Sequence, residues 1–242
     1  MILDATEGLQ IRVVFEDEDL LAVSKPAGLS VHASSIYNSE ATLESLLGAQ
    51  VGRRLILLHR LDKETTGLVL FAKRKPAAGI LSRAFEEKRI RKAYLAVVDG
   101  VWAKKNTRAE TFIYRDADGQ LQSSMSLSAE INGKKAVTTF RVLLGAPDRT
   151  LLEAIPKTGR THQIRLHCAG FEHAILGDRR YGRQKTAVFS GQALHAYRMD
   201  IQHPMTKVPV SLLDPPPLSW NLSWLTGFDP VEFELWRKGI FI

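Results

Sequence analysis

The chain has a single cysteine, Cys168, among its 242 residues. A lone thiol forms no internal disulfide and supports no cysteine-rich zinc site, which excludes the disulfide-stapled secreted classes. Its surroundings predict a buried small hydrophobe. The seven histidines contain no His-Glu-x-x-His pattern. His162 and His167 stand five apart, a spacing that does not place two ligands on one helical face. No metal site is predicted. No apolar run reaches membrane-spanning length, and Asp4 and Glu7 interrupt the start where a signal peptide would carry its apolar core. The expectation is a cytoplasmic protein with no membrane partner. Internal repeats and low-complexity tracts are also missing.

What the chain does have is enough apolar sequence for a core, and an excess of positive charge. Hydrophobic residues make up 45%, which suffices for one large domain or two small lobes. Lys and Arg number 33 against 26 Asp and Glu, a net charge of +7 that favours an anionic partner such as nucleic acid.

Short β-type runs at Ile11–Phe15 and Leu20–Ser24 flank the acidic turn Glu16–Asp19, a hairpin pattern. Lys25-Pro26-Ala27-Gly28-Leu29 breaks the second run into a loop, with His32 just beyond. Thr42–Leu47 reads as a short helix. Gly67–Lys73 is apolar on both faces, as a central strand is. Pro76 opens a helix in which Ile80, Leu81, Ala84 and Phe85 have helical spacing. Its charges, Arg83, Lys88, Arg89 and Arg91, form either a solvated face or an RNA contact.

Lys92–Val98 returns to a strand, with Tyr94, Ala96 and Val98 on one face. Arg115–Asn132 is polar and weakly patterned, a long hairpin or flexible insertion. Strands at Val137–Leu144 and Leu151–Ile155 follow, then a short helix from Thr161 stopped by Gly170, and a strand near Ala193–Ile201. The tail from Asp214 opens with three prolines and is expected to pack on the core. Strands and helices mix without regular βαβ alternation. The predicted class is therefore α+β, a mixed and largely antiparallel central sheet with flanking helices and loops, as one domain over residues 1–242 with a C-terminal extension over 213–242.

Five polar, basic turns sit at the ends of apolar strands: Lys25–His32, His59–Gly67, Arg91–Tyr94, Lys157–His167 and Gly177–Gly182. Their cations would repel one another unless an anionic ligand lay among them. The densest is His59-Arg60-Leu61-Asp62-Lys63-Glu64-Thr65-Thr66-Gly67. A carboxylate between Arg60 and Lys63 is held ionised, as a nucleophile or base requires. The Thr-Thr-Gly corner is expected to let a large substrate approach the backbone closely.

In order along the chain, these motifs resemble the RluA family of RNA pseudouridine synthases. Lys25-Pro26-Ala27-Gly28-Leu29, His59-Arg60-Leu61-Asp62, Arg91-Lys92-Ala93-Tyr94-Leu95 and Thr158-Gly159-Arg160-Thr161-His162-Gln163-Ile164-Arg165-Leu166-His167 carry the resemblance. Gly177-Asp178 with Tyr181-Gly182, Leu194-His195-Ala196 and His203-Pro204 continue it, and together it covers about residues 10–212. Thr66 stands where serine is commoner in the family.

The resemblance implies a catalytic Asp62 and a Tyr94 that stacks on the target uracil and takes part in removing its C5 proton. It also implies an Arg165 that pairs with Asp62, an apolar floor from Ile164, and an Arg60 that fills the place of the flipped nucleotide or clasps its phosphate. Lys25, Lys63, Arg160 and His162 are further expected contacts to RNA. The implied isomerisation needs no metal and no cofactor. The S4 RNA-binding domain of many relatives is not expected, which points to the compact form acting on a stem-loop of ribosomal or transfer RNA, as a monomer with no obligate protein partner. His59, His162, His167 and His195 are expected to be structural hydrogen-bonders.

Two rivals use the same features. A non-catalytic RNA-binding or chaperone protein would tolerate losing Asp62, Tyr94 or Arg165. A glycosidase or nucleosidase usually needs a second carboxylate, and the motifs offer only Asp178.

Overall fold

The structure is a computed structural model and describes residues 2–5, 9–33, 41–125, 132–182, 191–217 and 220. In chain order the elements begin with β1 (Ile2–Ala5), β2 (Leu9–Glu16), β3 (Leu20–Lys25), α1 (Leu43–Val51), β4 (Ile56–Leu57), β5 (Thr66–Ala72) and α2 (Lys75–Glu86). They continue with β6 (Arg91–Asp99), β7 (Asn106–Arg115), β8 (Leu121–Ser124), β9 (Lys134–Ala146) and β10 (Arg149–Pro156). The last are α3 (Gln163–Gly170), β11 (Leu194–Gln202) and β12 (Pro209–Leu213). The class is α+β, dominated by a mixed and largely antiparallel sheet.

The chain divides into two compact units, one built on Met1–Lys92 with His195–Pro217, the other on Ala93–Leu194. In the first, β1, β2, β3 and β5 pair antiparallel in that order, β4 adds to β5, and β11 joins β5 parallel while pairing antiparallel with β12. Strand β5 lies between β3 and β11 and is buried at all seven positions, which is why its sequence is apolar on both faces. The hairpin β2–β3 forms around the acidic turn as its sequence predicts. Thr42 caps α1 with a reciprocal side-chain exchange with Ser45, which fixes the helix start. Pro76 lies in the first turn of α2, which buries Ala77, Ala78, Leu81 and Ala84. Ile80 faces outward instead, at 37% exposure.

In the second unit β6, β10, β9, β7 and β8 pair antiparallel in that order. Leu95, Ala96, Val97 and Val98 of β6 and Phe140 of β9 are fully buried. The polar insertion is in part the β7–β8 hairpin, turned at Asp116–Gly119; residues 126–131 lie outside the described residues, as does most of the tail. Strands β1, β4, β7 and β12 were not anticipated. Helix α3 starts at Gln163 rather than Thr161, because His162 has a left-handed φ of 56° and cannot continue a right-handed helix. It also runs through Gly170 and is closed by Phe171 and Glu172, the latter at φ 64°.

Candidate active site

Asp62 sits at the start of a tight turn, closed by a hydrogen bond from the Thr65 amide to the Asp62 carbonyl (3.1 Å). Its neighbours are anchored on both sides: Leu61 and Thr65 are buried, whereas Arg60 and Lys63 are exposed and Asp62 is half-buried. Upstream, His59 Nε2 accepts from the amide of Leu70 (3.1 Å), which ties the approach to the turn onto β5. Downstream, Thr66 Oγ1 lies 2.8 Å from His195 Nδ1. The Nε2 of His195 donates to the carbonyl of Asp214 (2.8 Å), so its Nδ1 is the acceptor and Thr66 the donor. Asp214 in turn is bonded to Arg12. The carboxylate is thus carried on a turn gripped at both ends by interior contacts.

Gly67 corrects one expectation. It has φ 109°, and a Cβ there would lie 2.4 Å from the Ala196 carbonyl oxygen. The backbone that approaches Gly67 is therefore β11 of the same chain, in the parallel pairing with β5, rather than a substrate.

Lys25 also departs from its expected role as an RNA contact. Its side chain is among the largest fully buried ones, and its three N–H groups donate to the carbonyls of Pro26 (2.8 Å), Leu29 (2.9 Å) and Lys63 (2.8 Å). An ammonium has only three donors, so none is left for a phosphate. The Lys63 carbonyl also accepts from the Gly28 amide (3.0 Å), so the Lys25–Leu29 loop is stapled to the residue following Asp62. Burial pulls the Lys25 ammonium down to about 7, against the upward pull of the Glu64 and Asp62 carboxylates.

In the second unit, Tyr94 lies on β6 and Ile164 and Arg165 on the first turn of α3, all three buried. Arg165 donates from Nε (2.7 Å) and Nη2 (2.9 Å) to the two carboxylate oxygens of Asp178, a bidentate pair. Burial works to raise the Asp178 carboxyl. The hydrogen bonds and charge of Arg165, with the amides of Arg180 and Tyr181, outweigh it and hold the group below the usual carboxylate range. An ionised Asp178 committed to Arg165 is no proton donor, which removes the second carboxylate a glycosidase would use.

The start of α3 is built by Gln163, to which the motif alone gives no role. Its Nε2 donates to the Val137 carbonyl (3.0 Å) and to Thr138 Oγ1 (2.9 Å), while its Oε1 accepts from Thr158 Oγ1 (2.6 Å) and the Arg160 amide (3.1 Å). A buried amide using donor and acceptor ends alike locks the motif turn onto β9. The signal available in the sequence was an amide side chain within the Thr158–His167 motif. Arg160 is exposed on this turn, and the ring of His162 bonds through Nδ1 to the Tyr181 hydroxyl (2.9 Å).

Comparison with known proteins bears on the same segments. The model of the family described as RNA pseudouridylate synthase matches residues 19–170, a span that holds the Asp62 turn, Tyr94 and Arg165. The chain belongs to this family of isomerases. It is 33% identical over 216 residues to ribosomal large subunit pseudouridine synthase D of Zymomonas mobilis, covering 83% of this chain and 67% of the relative. It is 37% identical over 227 residues to the protein of that name from Neisseria meningitidis, covering 87% and 59%. Among solved structures, human RNA pseudouridylate synthase domain containing 1 is similar at TM-score 0.72 and 27% identity, over 86% of this chain and 84% of that one.

Three histidines near these motifs are buried and hydrogen-bonded, and burial lowers all of them. Burial, with the charge of Lys92, takes His59 down to about 3; burial, with the charge of Arg12, does the same to His195. Burial takes His167, held by Thr111 and Thr138, to about 4. All three are neutral at pH 7. Burial pushes the Cys168 thiol up, so it stays an unreactive thiol. Asp17, Asp19 and His203 lie close enough to suggest a cation site. Their oxygens are engaged by the Asp19 and Leu20 amides, His203 and Arg74, so the cluster is a hydrogen-bonded turn. Among the described residues no helix is long and apolar enough to cross a membrane.

Proposed function

We propose that the protein isomerises a specific uridine in a structured ribosomal or transfer RNA, with Asp62 as the essential carboxylate. The observation that carries this is the pinned turn: a half-buried aspartate between two exposed cations, held at both ends by buried contacts. The names of the relatives favour ribosomal RNA of the large subunit.

A uridine within folded RNA is first extruded, at a cost of a few kcal/mol, offset by stacking and phosphate contacts. In this reading Tyr94 stacks on the flipped uracil and Ile164 supplies its apolar floor. Arg60 fills the vacated space or clasps the phosphate, and Lys63, Arg160 and His162 contact the RNA. The C1′–N1 bond breaks, the uracil turns while enclosed, and the C1′–C5 bond forms; the C5 proton is removed with the participation of Tyr94, and N1 ends protonated. Asp62 acts either by attacking C1′ or by removing the ribose 2′ proton through a glycal, and both routes need it ionised. In this reading Arg165, itself held by the bidentate pair with Asp178, pairs with and aims Asp62. Redox chemistry and hydrolysis have no part in this isomerisation, so no cofactor is required.

Pseudouridine-specific mapping of total RNA from cells with and without the gene tests the proposal, with wild-type and Asp62→Asn rescue. The expected result is a site lost on deletion and restored by the wild type alone. A site restored equally by Asp62→Asn would remove Asp62 from the chemistry, and a map unchanged by deletion would favour RNA binding without catalysis.

A further inference from the structure

Arg165 is held by more than its carboxylate. Asp178 engages the edge of the guanidinium through two nearly equal bonds, which fix its direction within its own plane. Two parallel bonds to one edge leave the tilt about that edge open. The ring of Tyr181 closes it: the guanidinium carbon lies 5.0 Å from the ring centroid, within cation–π range. The Tyr181 hydroxyl meets His162 Nδ1 at 2.9 Å, and His162 is the left-handed residue that caps α3, three positions before Arg165. One tyrosine therefore touches both the charged end of Arg165 and the side chain of the residue that caps the helix carrying Arg165.

The turn carrying Tyr181 is itself constrained. Asp178 Oδ1 accepts from the amides of Arg180 (2.9 Å) and Tyr181 (3.1 Å), and the Gly182 amide bonds to the Asp178 carbonyl (2.9 Å). A Cβ on Gly177 would lie 2.1 Å from the Gly191 carbonyl oxygen, and one on Gly182 2.4 Å from that of Asp178. The same carboxylate thus folds the turn that presents the ring and binds the guanidinium that the ring covers. Arg180 lies over the same ring at 5.8 Å and reaches Gln120 beyond the β7–β8 turn, so the ring is flanked by two guanidinium groups.

We propose that Tyr181 is a positioning residue for isomerisation, setting the tilt of Arg165 by stacking on it and the start of α3 through its bond to His162. This rests on the reading that Arg165 serves the reaction. The competing account is packing alone, since Tyr181 also lies against the cluster of Ile113, Leu121, Ala136 and Leu166. Packing alone lowers stability and the folded fraction but leaves the rate per folded molecule unchanged.

The test measures single-turnover isomerisation at saturating substrate RNA, RNA affinity and thermal midpoint for Tyr181→Phe, Tyr181→Leu, Arg165→Lys and the Tyr181→Leu/Arg165→Lys double variant. Tyr181→Phe keeps the ring and loses the bond to His162, so its rate falls about fivefold, as for one ordinary hydrogen bond. Tyr181→Leu also loses the stacking and falls about fiftyfold, with RNA affinity in both variants within about twofold of wild type. The double variant is no more than about twofold slower than Arg165→Lys, because the two changes act through one guanidinium.

Wild-type rates per folded molecule in both Tyr181 variants beside a slow Arg165→Lys overturn the inference and leave the role of Arg165 standing. Multiplicative losses in the double variant overturn it too. A wild-type rate for Arg165→Lys removes the reading on which it rests, and the inference falls with it. Should Tyr181→Leu not fold, the fivefold loss in Tyr181→Phe decides.

Discussion

Lys25 and Arg165 are both buried cations from basic motifs, yet the two units use them differently. Lys25 meets neutral carbonyls, and its three donors are matched by three acceptors. Arg165 meets a carboxylate, and Asp178 uses two of its five donors. The kind of partner thus separates a cation that organises a loop through neutral carbonyls from one that is held in place by a buried carboxylate. Sequence alone placed both among the functional residues, because a basic residue in a motif looks the same in either role.

The comparison is tested most strongly by Arg165→Met. It strands Asp178 as a buried, uncompensated charge, with an expected loss of about 3–5 kcal/mol in stability and of at least about a thousandfold in isomerisation rate. Adding Asp178→Leu is expected to recover most of the stability and none of the activity. Chemical denaturation alongside turnover reads both, and recovered turnover would make the pair purely structural.

Lys25→Met removes a donor from three carbonyls, of which that of Lys63 keeps the Gly28 amide. The expected loss is about 2–4 kcal/mol in stability, with the rate per folded molecule within about threefold of wild type. A hundredfold slower rate in fully folded protein, or a salt dependence of RNA binding reduced by one phosphate contact, would place Lys25 on the substrate and end the contrast.

The smallest effect concerns the histidine that grips the Thr66 corner. His195 titrates at about 3 in the folded protein, below its ordinary 6.5, so below pH 6.5 the unfolded chain binds the extra proton. Its stabilising contribution is complete above pH 6.5 and is lost as the pH falls towards 3. Unfolding free energies should therefore fall between pH 6 and 5, and His195→Gln should flatten that slope by about 1 kcal/mol per pH unit. An unchanged slope would mean that His195 protonates without disturbing the fold.

Much of the fold was legible because its signals are local. The β2–β3 hairpin, the fully apolar β5, the Thr42 start of α1 and the Pro76 start of α2 depend on residues next to one another. Strand β7 was missed because its polar, alternating sequence becomes a strand through pairing with β8 and β9. Strand β12 was missed because it is recruited by β11. The site divides in the same way. The Asp62 turn was visible in its own residues, but Lys25 is buried by a carbonyl 38 positions away and Gly67 is crowded by a strand 129 positions away. The bond from Arg165 to Asp178 spans two motifs whose spacing says nothing about their contact.

The central claim is that this chain performs pseudouridine chemistry through Asp62. It is tested most directly by following loss of the C5 hydrogen from uridine-labelled ribosomal RNA with purified wild-type and Asp62→Asn proteins. The expected result is hydrogen release and pseudouridine formation by the wild type alone, with RNA affinity of the two within about tenfold. Equal release by Asp62→Asn, or none by a wild-type protein that binds the RNA, would contradict the account.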